Sequence, residues 1–164
     1  MTSKNDFSTE DWTKIVRAPL LAGFAVTAAD PSGFVGLLQE AFANAKGLAE
    51  AKSGVRGGAL AQAVAEELLT AGGIAQARDS VREIVKGAGL PEIKARSLRA
   101  LTETAALLNA KSPGEYAEFK DWLHHIAKTV ADAGTEGGFL GFGGEKLSPA
   151  EKATLDELSE ALSV

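Results

Sequence analysis

Apolar residues recur every three or four positions along most of this 164-residue chain, and this spacing is the strongest constraint on its fold. Such a period predicts amphipathic α-helices, because residues three and four apart share one face of a helix. The stripe that begins at Phe34 is the clearest, and no window alternates convincingly as a β-strand would. We therefore predict an all-α protein, a single helical bundle of about seven helices with residues 1–164 as one domain.

Proline, glycine and capping residues divide these stripes into helices. Ser8 caps the first predicted helix, and Pro19 should kink it because proline has no N–H to donate. Gly72-Gly73 is predicted to end the third helix, so that the fourth carries Ile74 and the residues after it. The last two helices should begin at the similar Ser-Pro-x-Glu sequences of Ser112 and Ser148.

The sixth predicted helix carries its large apolar residues on one face. Its apolar stripe runs through Tyr116, Phe119, Leu123, Ile126 and Val130. These positions lie on one face of an α-helix, so we expect them to point toward the core.

Small side chains dominate the composition and predict how closely the helices pack. Alanine supplies 30 residues and glycine 18, whereas aromatic residues are only 6% of the chain. Rows of small residues let helix axes approach closely, within the fold or in a homodimer. Two such rows comprise Ala18, Ala22, Ala25 and Ala29, and then Ala41, Ala45 and Ala49.

Charge and cysteine content exclude several classes of function. The chain has no cysteine, which excludes a disulfide framework, a thiolate zinc site and an iron–sulfur cluster. Its net charge of −5 argues against a nucleic-acid partner. The longest uncharged apolar run, Ala18 to Ala29, is short of the roughly 20 residues that a transmembrane helix needs. Acidic residues before this run argue against a signal peptide, so we expect a cytoplasmic protein.

One segment, from Gly134 to Glu145, combines glycines with large apolar residues. Phe139, Leu140 and Phe142 stand among the glycines, and the spacing matches no phosphate-binding loop. They are the candidate residues for binding a partner or ligand, as an exposed hydrophobic finger. The alternative is a lid that folds over the open end of the bundle, with glycines permitting its turns.

The two histidines of the chain are adjacent and lie next to a carboxylate. Asp121 and His125 share a face of the predicted sixth helix, and His124 lies beside them. One protomer offers too few ligands of this kind for a helical di-metal site, so we predict no metal and no cofactor. A metal site shared across a dimer, built on these three residues, is the alternative. We assign no catalytic residue, because GxSxG and HExxH are both absent.

Basic residues recur every four positions in the fourth predicted helix. Arg78, Arg82 and Lys86 form this stripe, and Lys94, Arg96 and Arg99 follow it. The stripe could hold an anion or an acidic partner. Because Asp79 and Glu83 alternate with it, a solvated helix face is the other interpretation.

Two phrases of the sequence resemble those of small, uncharacterised helical proteins of bacteria. They are AADPSG (Ala28–Gly33) and EGGFLGFGGEKLSPAEKATLDEL (Glu136–Leu158), and the second is also similar to tellurite-resistance-associated TerB-like helical domains. That resemblance implies metal-holding acidic residues after an Ala-Asp-Gly turn. Here Pro31 follows Asp30, and Gly143-Gly144 stands where an Asp-Gly would be, so no metal site is carried over.

These observations favour a non-enzymatic interaction or scaffold protein with a protein partner or a homo-oligomeric state. It would use the Gly/Phe segment and the alanine-rich helix faces. One alternative is a carrier of a small molecule or lipid, with a ligand cavity beneath residues 137–144. The other is a metal-dependent enzyme around Asp121, His124 and His125.

Overall fold

A computed structural model describes residues 4–29, 46–136 and 148–164 of the chain. Within these ranges the protein is all-α, as predicted, with seven α-helices and no strand. A short 3₁₀ turn at Lys4–Asp6 precedes them. The helices are α1 (Thr9–Thr27), α2 (Lys46–Lys52), α3 (Gly58–Leu68), α4 (Ala71–Val85), α5 (Leu90–Lys111), α6 (Pro113–Glu136) and α7 (Pro149–Ala161).

Helix α1 lies at the centre and packs against α3, α4, α5, α6 and α7. Its row of alanines packs within the fold of one chain, because Ala18, Ala22 and Ala25 are completely buried there. The helix continues through Pro19, which is itself buried. The kink at this residue stays a prediction. A helix that is apolar on several faces is stable only when other helices surround it, and the central position of α1 meets this requirement.

All seven helices contribute to one hydrophobic core. Among the described residues, the two largest completely buried side chains are Phe119 and Trp122 of α6, whose ring centroids are 5.4 Å apart. Near the other tryptophan, Trp12, the ring of Phe7 stacks at 6.1 Å. Because the chain has few aromatic residues, each of these large rings is important for filling the core.

The predicted boundary between the third and fourth helices is wrong. Helix α3 ends at Leu68 and α4 begins at Ala71, so Gly72 and Gly73 lie in the first turn of α4. The hydroxyl of Thr70 caps this helix by accepting from the Gly73 N–H at 2.9 Å. A Cβ atom at Gly73 would overlap the carbonyl oxygen of Glu67. Glycine is therefore needed here for close approach of the chain at the end of α3.

Two predicted caps are confirmed. At α1 the Ser8 hydroxyl accepts from the Asp11 N–H at 3.1 Å. At α7 Ser148 and Glu151 form a reciprocal capping box, in which the Ser148 N–H donates to the Glu151 carboxylate at 2.8 Å. Each bond satisfies an N–H group that the first helical turn leaves free.

Among the described residues, no helix combines the length and apolar character that crossing a membrane requires.

Candidate functional site

A groove of about 220 Å³ opens between α1, α4 and α5, and arginine side chains dominate its polar lining. A single water molecule needs only about 10–15 Å³, so the groove is large enough for a polyatomic group. Its lining residues are Arg17 of α1, Ile84 of α4, and Arg96, Arg99, Ala100 and Glu103 of α5.

Arg96 is held in place by the end of α4. Its Nη1 donates to the carbonyl oxygens of Ile84 and Lys86, both at 3.2 Å. Its Nη2 donates to the carboxylate of Glu92, one turn earlier on α5, at 3.1 Å. Carbonyl groups at a helix C-terminus lack intrahelical partners and attract cations. These three hydrogen bonds therefore hold the Arg96 guanidinium in one position.

Arg17 is the last charged residue of α1, at the start of its uncharged C-terminal half. Its Nη1 donates to the hydroxyl of Ser80 on α4 at 3.0 Å, whereas its buried Nε reaches no acceptor in the described ranges. Burial lowers the pKa of Arg17, and the negative charge of Glu103 partly opposes this shift. An arginine nevertheless stays protonated in proteins, so the groove contains a partly desolvated positive charge.

Arg99 and Glu103 lie one turn apart on α5, and both are exposed. Arg99 forms no ion pair within the described part of the chain. Of the described residues, those that line the groove thus supply one fixed guanidinium, one half-buried guanidinium, one exposed guanidinium and one carboxylate. This set can bind an anionic group through several N–H donors at once.

The predicted basic stripe lies on a different face from this groove. Ser80 and Ile84 of α4 face α1 and α5, and Arg82 is two positions from each, or about 200° around the helix. Arg82 pairs with Asp79 at 2.6 Å and Lys86 with Glu83 at 3.7 Å, all of them largely exposed. Arg78 is exposed as well. Such exposed pairs contribute little to stability.

The histidines occupy two different environments. Nε2 of His125 lies 3.0 Å from Oε2 of Glu50 on α2, and Nε of Arg56 lies 3.6 Å from the same oxygen. His124 is half-buried, and burial together with Lys120 lowers its pKa. Asp121, which was predicted to share a face with His125, is exposed, and its negative charge opposes the lowering of the His124 pKa. Across the ranges that the structure describes, no three His, Asp or Glu side chains form a group that could hold a metal.

The remaining predicted binding residues, Phe139, Leu140 and Phe142, lie outside the described residues, as does the cavity predicted beneath residues 137–144. The sequence indicated only some of the residues that line the groove. Arg96 and Arg99 stand out as cations that follow the basic stripe. Arg17 was missed, although a charged residue between the apolar positions Val16 and Ala18 could have indicated it.

Comparison of the chain with protein-family models, with curated proteins and with solved structures finds no match. The groove and its neighbours are therefore interpreted from their own chemistry.

Proposed function

We propose that this protein is a non-enzymatic interaction protein that binds an anionic group of a partner protein in the groove between α1, α4 and α5. The observation that carries the proposal is the set of three arginines, from two different helices, that line one groove. Arginine is the residue best suited to such binding, because its planar guanidinium donates in a fixed fork to carboxylate and phosphate oxygens.

The energetics of Arg17 support this function. A half-buried guanidinium with one hydroxyl partner has lost hydration that the described residues only partly replace. An anion in the groove would offset that loss with charge-assisted hydrogen bonds. Arg96 adds to this effect, because its side chain is already held by two carbonyl groups and loses little conformational entropy on binding.

The test uses two variants that remove the same charge. An aspartate-rich peptide of about ten residues is titrated into the full chain, with binding followed by fluorescence anisotropy at low salt and near 0.15 M salt. Arg99→Gln should weaken binding about tenfold, because Arg99 lines the groove. Arg78→Gln should leave binding within about twofold, because Arg78 lies on α4 outside the groove lining.

Equal weakening by the two variants would show that binding depends on net charge alone and would contradict the proposal. Absence of binding at low salt by this peptide and by phosphate, sulfate and a phosphoserine peptide would contradict it as well. A protein partner and a homo-oligomer are both compatible with an occupied groove, and sedimentation with and without the peptide separates them. A second copy that occupies the groove would be displaced as the peptide binds.

A further inference from the structure

The carboxylate of Glu103 is the unexpected member of the groove, because it lines the same space as Arg17, Arg96 and Arg99. An ionised carboxylate only accepts hydrogen bonds, so it repels the oxygens of a fully ionised ligand. The same carboxylate would instead accept a hydrogen bond from an anion that still carries an O–H group. A groove with several guanidiniums and one carboxylate therefore distinguishes anions by whether they carry a proton.

Phosphate is the common biological anion with this property. A phosphate monoester has a second pKa near 6, so a large share of it carries one proton in slightly acidic solution. Sulfate has the same shape and the same number of oxygens, but carries no proton at this pH. A carboxylate ligand is likewise fully ionised there, and has only two oxygens for the arginines to contact.

The available donors also match a phosphate group. Arg17 and Arg99 come from two helices, and within the described residues neither forms an ion pair. One guanidinium fork already satisfies both oxygens of a carboxylate. A phosphate group has a further oxygen, which in its protonated form can donate to Glu103 while the remaining oxygens accept from both guanidiniums through their several lone pairs.

We infer that the groove binds a phosphate group that carries a proton, and that Glu103 selects this group over fully ionised oxyanions. The inference rests on the anion-binding function proposed above, and names its ligand. Glu92 also lies close to the groove, and its carboxylate is already paired with Arg96 at 3.1 Å. On α4 the groove is lined by the apolar Ile84, and the neutral hydroxyl of Ser80 accepts from Arg17.

The experiment compares phosphate with sulfate in the full chain. Isothermal titration calorimetry is run at about pH 6 with sodium phosphate, with sodium sulfate and with a phosphoserine peptide, all at matched ionic strength. Phosphate should bind about tenfold more tightly than sulfate, because one added charge-assisted hydrogen bond is worth at least that factor. The phosphoserine peptide separates the two sources, since tighter binding than free phosphate identifies a phosphorylated side chain as the ligand.

Glu103→Gln is the decisive variant, and its side chain is exposed, so the fold should tolerate the change. The Glu103→Gln variant should bind sulfate more tightly than the native chain does. Its preference for phosphate over sulfate should fall to about twofold or less. Glu66→Gln, on α3 outside the groove lining, is the matched control and should keep the full preference. Circular dichroism of each variant establishes that it is folded.

The outcomes separate the two proposals. Equal affinity of the native chain for phosphate and sulfate would overturn the selection by Glu103, whereas Arg99-dependent binding of the aspartate-rich peptide would still support the anion-binding function. An unchanged preference in Glu103→Gln would also overturn the inference. Failure of phosphate, sulfate and both peptides to bind would overturn the inference and the proposed function together.

Discussion

The indole Nε1 of Trp122 donates a hydrogen bond to the carbonyl oxygen of Gly47 at 3.1 Å, and so joins α6 to the short helix α2. A seven-residue helix is marginal in isolation, so contacts of this kind decide whether it forms. Close approach contributes too, since a Cβ atom at Gly47 would lie 3.2 Å from the side chain of Ile126. Trp122 therefore both fills the core and holds a neighbouring helix in place.

The two tryptophans of the chain should respond differently to the same substitution. Trp122→Phe removes a hydrogen bond, whereas the Nε1 of Trp12 is buried with no acceptor in the described part of the chain. Both changes remove the same volume from the core. We expect Trp122→Phe to lower the free energy of unfolding by about 0.5–1.5 kcal/mol more than Trp12→Phe, as measured by urea unfolding. Equal losses in the two variants would show that the bond to Gly47 contributes nothing.

Gly72 and Gly73 are adjacent in the first turn of α4 and should respond in opposite directions to alanine. Nothing lies within 4 Å of a Cβ atom at Gly72, so Gly72→Ala should be neutral or stabilise the protein by up to about 1 kcal/mol. At Gly73 the added methyl would overlap the carbonyl oxygen of Glu67. Gly73→Ala should therefore destabilise the protein by about 1–3 kcal/mol. Thermal and urea unfolding measure both values, and a harmless alanine at position 73 would contradict the close packing.

The sequence predicted the parts of the fold that depend on local spacing. Helical periodicity identified the core residues Phe119, Leu123 and Ile126 of α6, and the cap at Ser148 followed from a four-residue pattern. Trp122 was missed because it lies next to Leu123 and outside the assigned stripe, although it is completely buried. The stripe was too narrow, since α6 is contacted by neighbours on more than one side.

The groove and the contact between Glu50 and His125 depend on which helices become neighbours. Sequence spacing predicted that Asp121 and His125 share a face, but it carries no information that α2 lies against α6. Arg17 and Arg99 are likewise far apart in the chain, and only the packing of α1 against α5 brings them to one groove. The predicted boundary at Gly72-Gly73 was wrong for a related reason, because a close contact with Glu67 requires a glycine at position 73, inside a helix.

Tyr116 connects the start of α6 to the C-terminal end of the chain. Its buried hydroxyl donates to the carbonyl oxygen of Leu162 at 2.6 Å, and burial raises the pKa of this phenol. Tyr116→Phe keeps the ring but leaves that carbonyl without the hydroxyl, which should cost about 1–3 kcal/mol of unfolding free energy. Urea unfolding measures the loss, and hydrogen exchange should show faster opening of α7. An unchanged stability would mean that water replaces the hydroxyl at no cost.

His124 should make the stability of the protein depend on pH. Burial and the nearby Lys120 lower its pKa in the folded chain, whereas in the unfolded chain the pKa returns to its ordinary value near 6.5. The unfolded chain therefore binds the proton more tightly, and the free energy of unfolding should fall as the pH decreases from above 6.5 through the lowered pKa. Well above pH 6.5 the imidazole is neutral in both states and the contribution is fully retained.

His124→Gln is the variant that tests this pH dependence. Glutamine cannot take up the proton, so the loss of stability between about pH 7.5 and pH 5 should be smaller than in the native chain. Lys120→Gln provides a graded control, because removing that positive charge should raise the pKa of His124 toward its ordinary value and reduce the loss only in part. Urea unfolding at four or five pH values gives the slopes for all three proteins. Identical slopes for the native chain and His124→Gln would show that another group is responsible for the acid sensitivity.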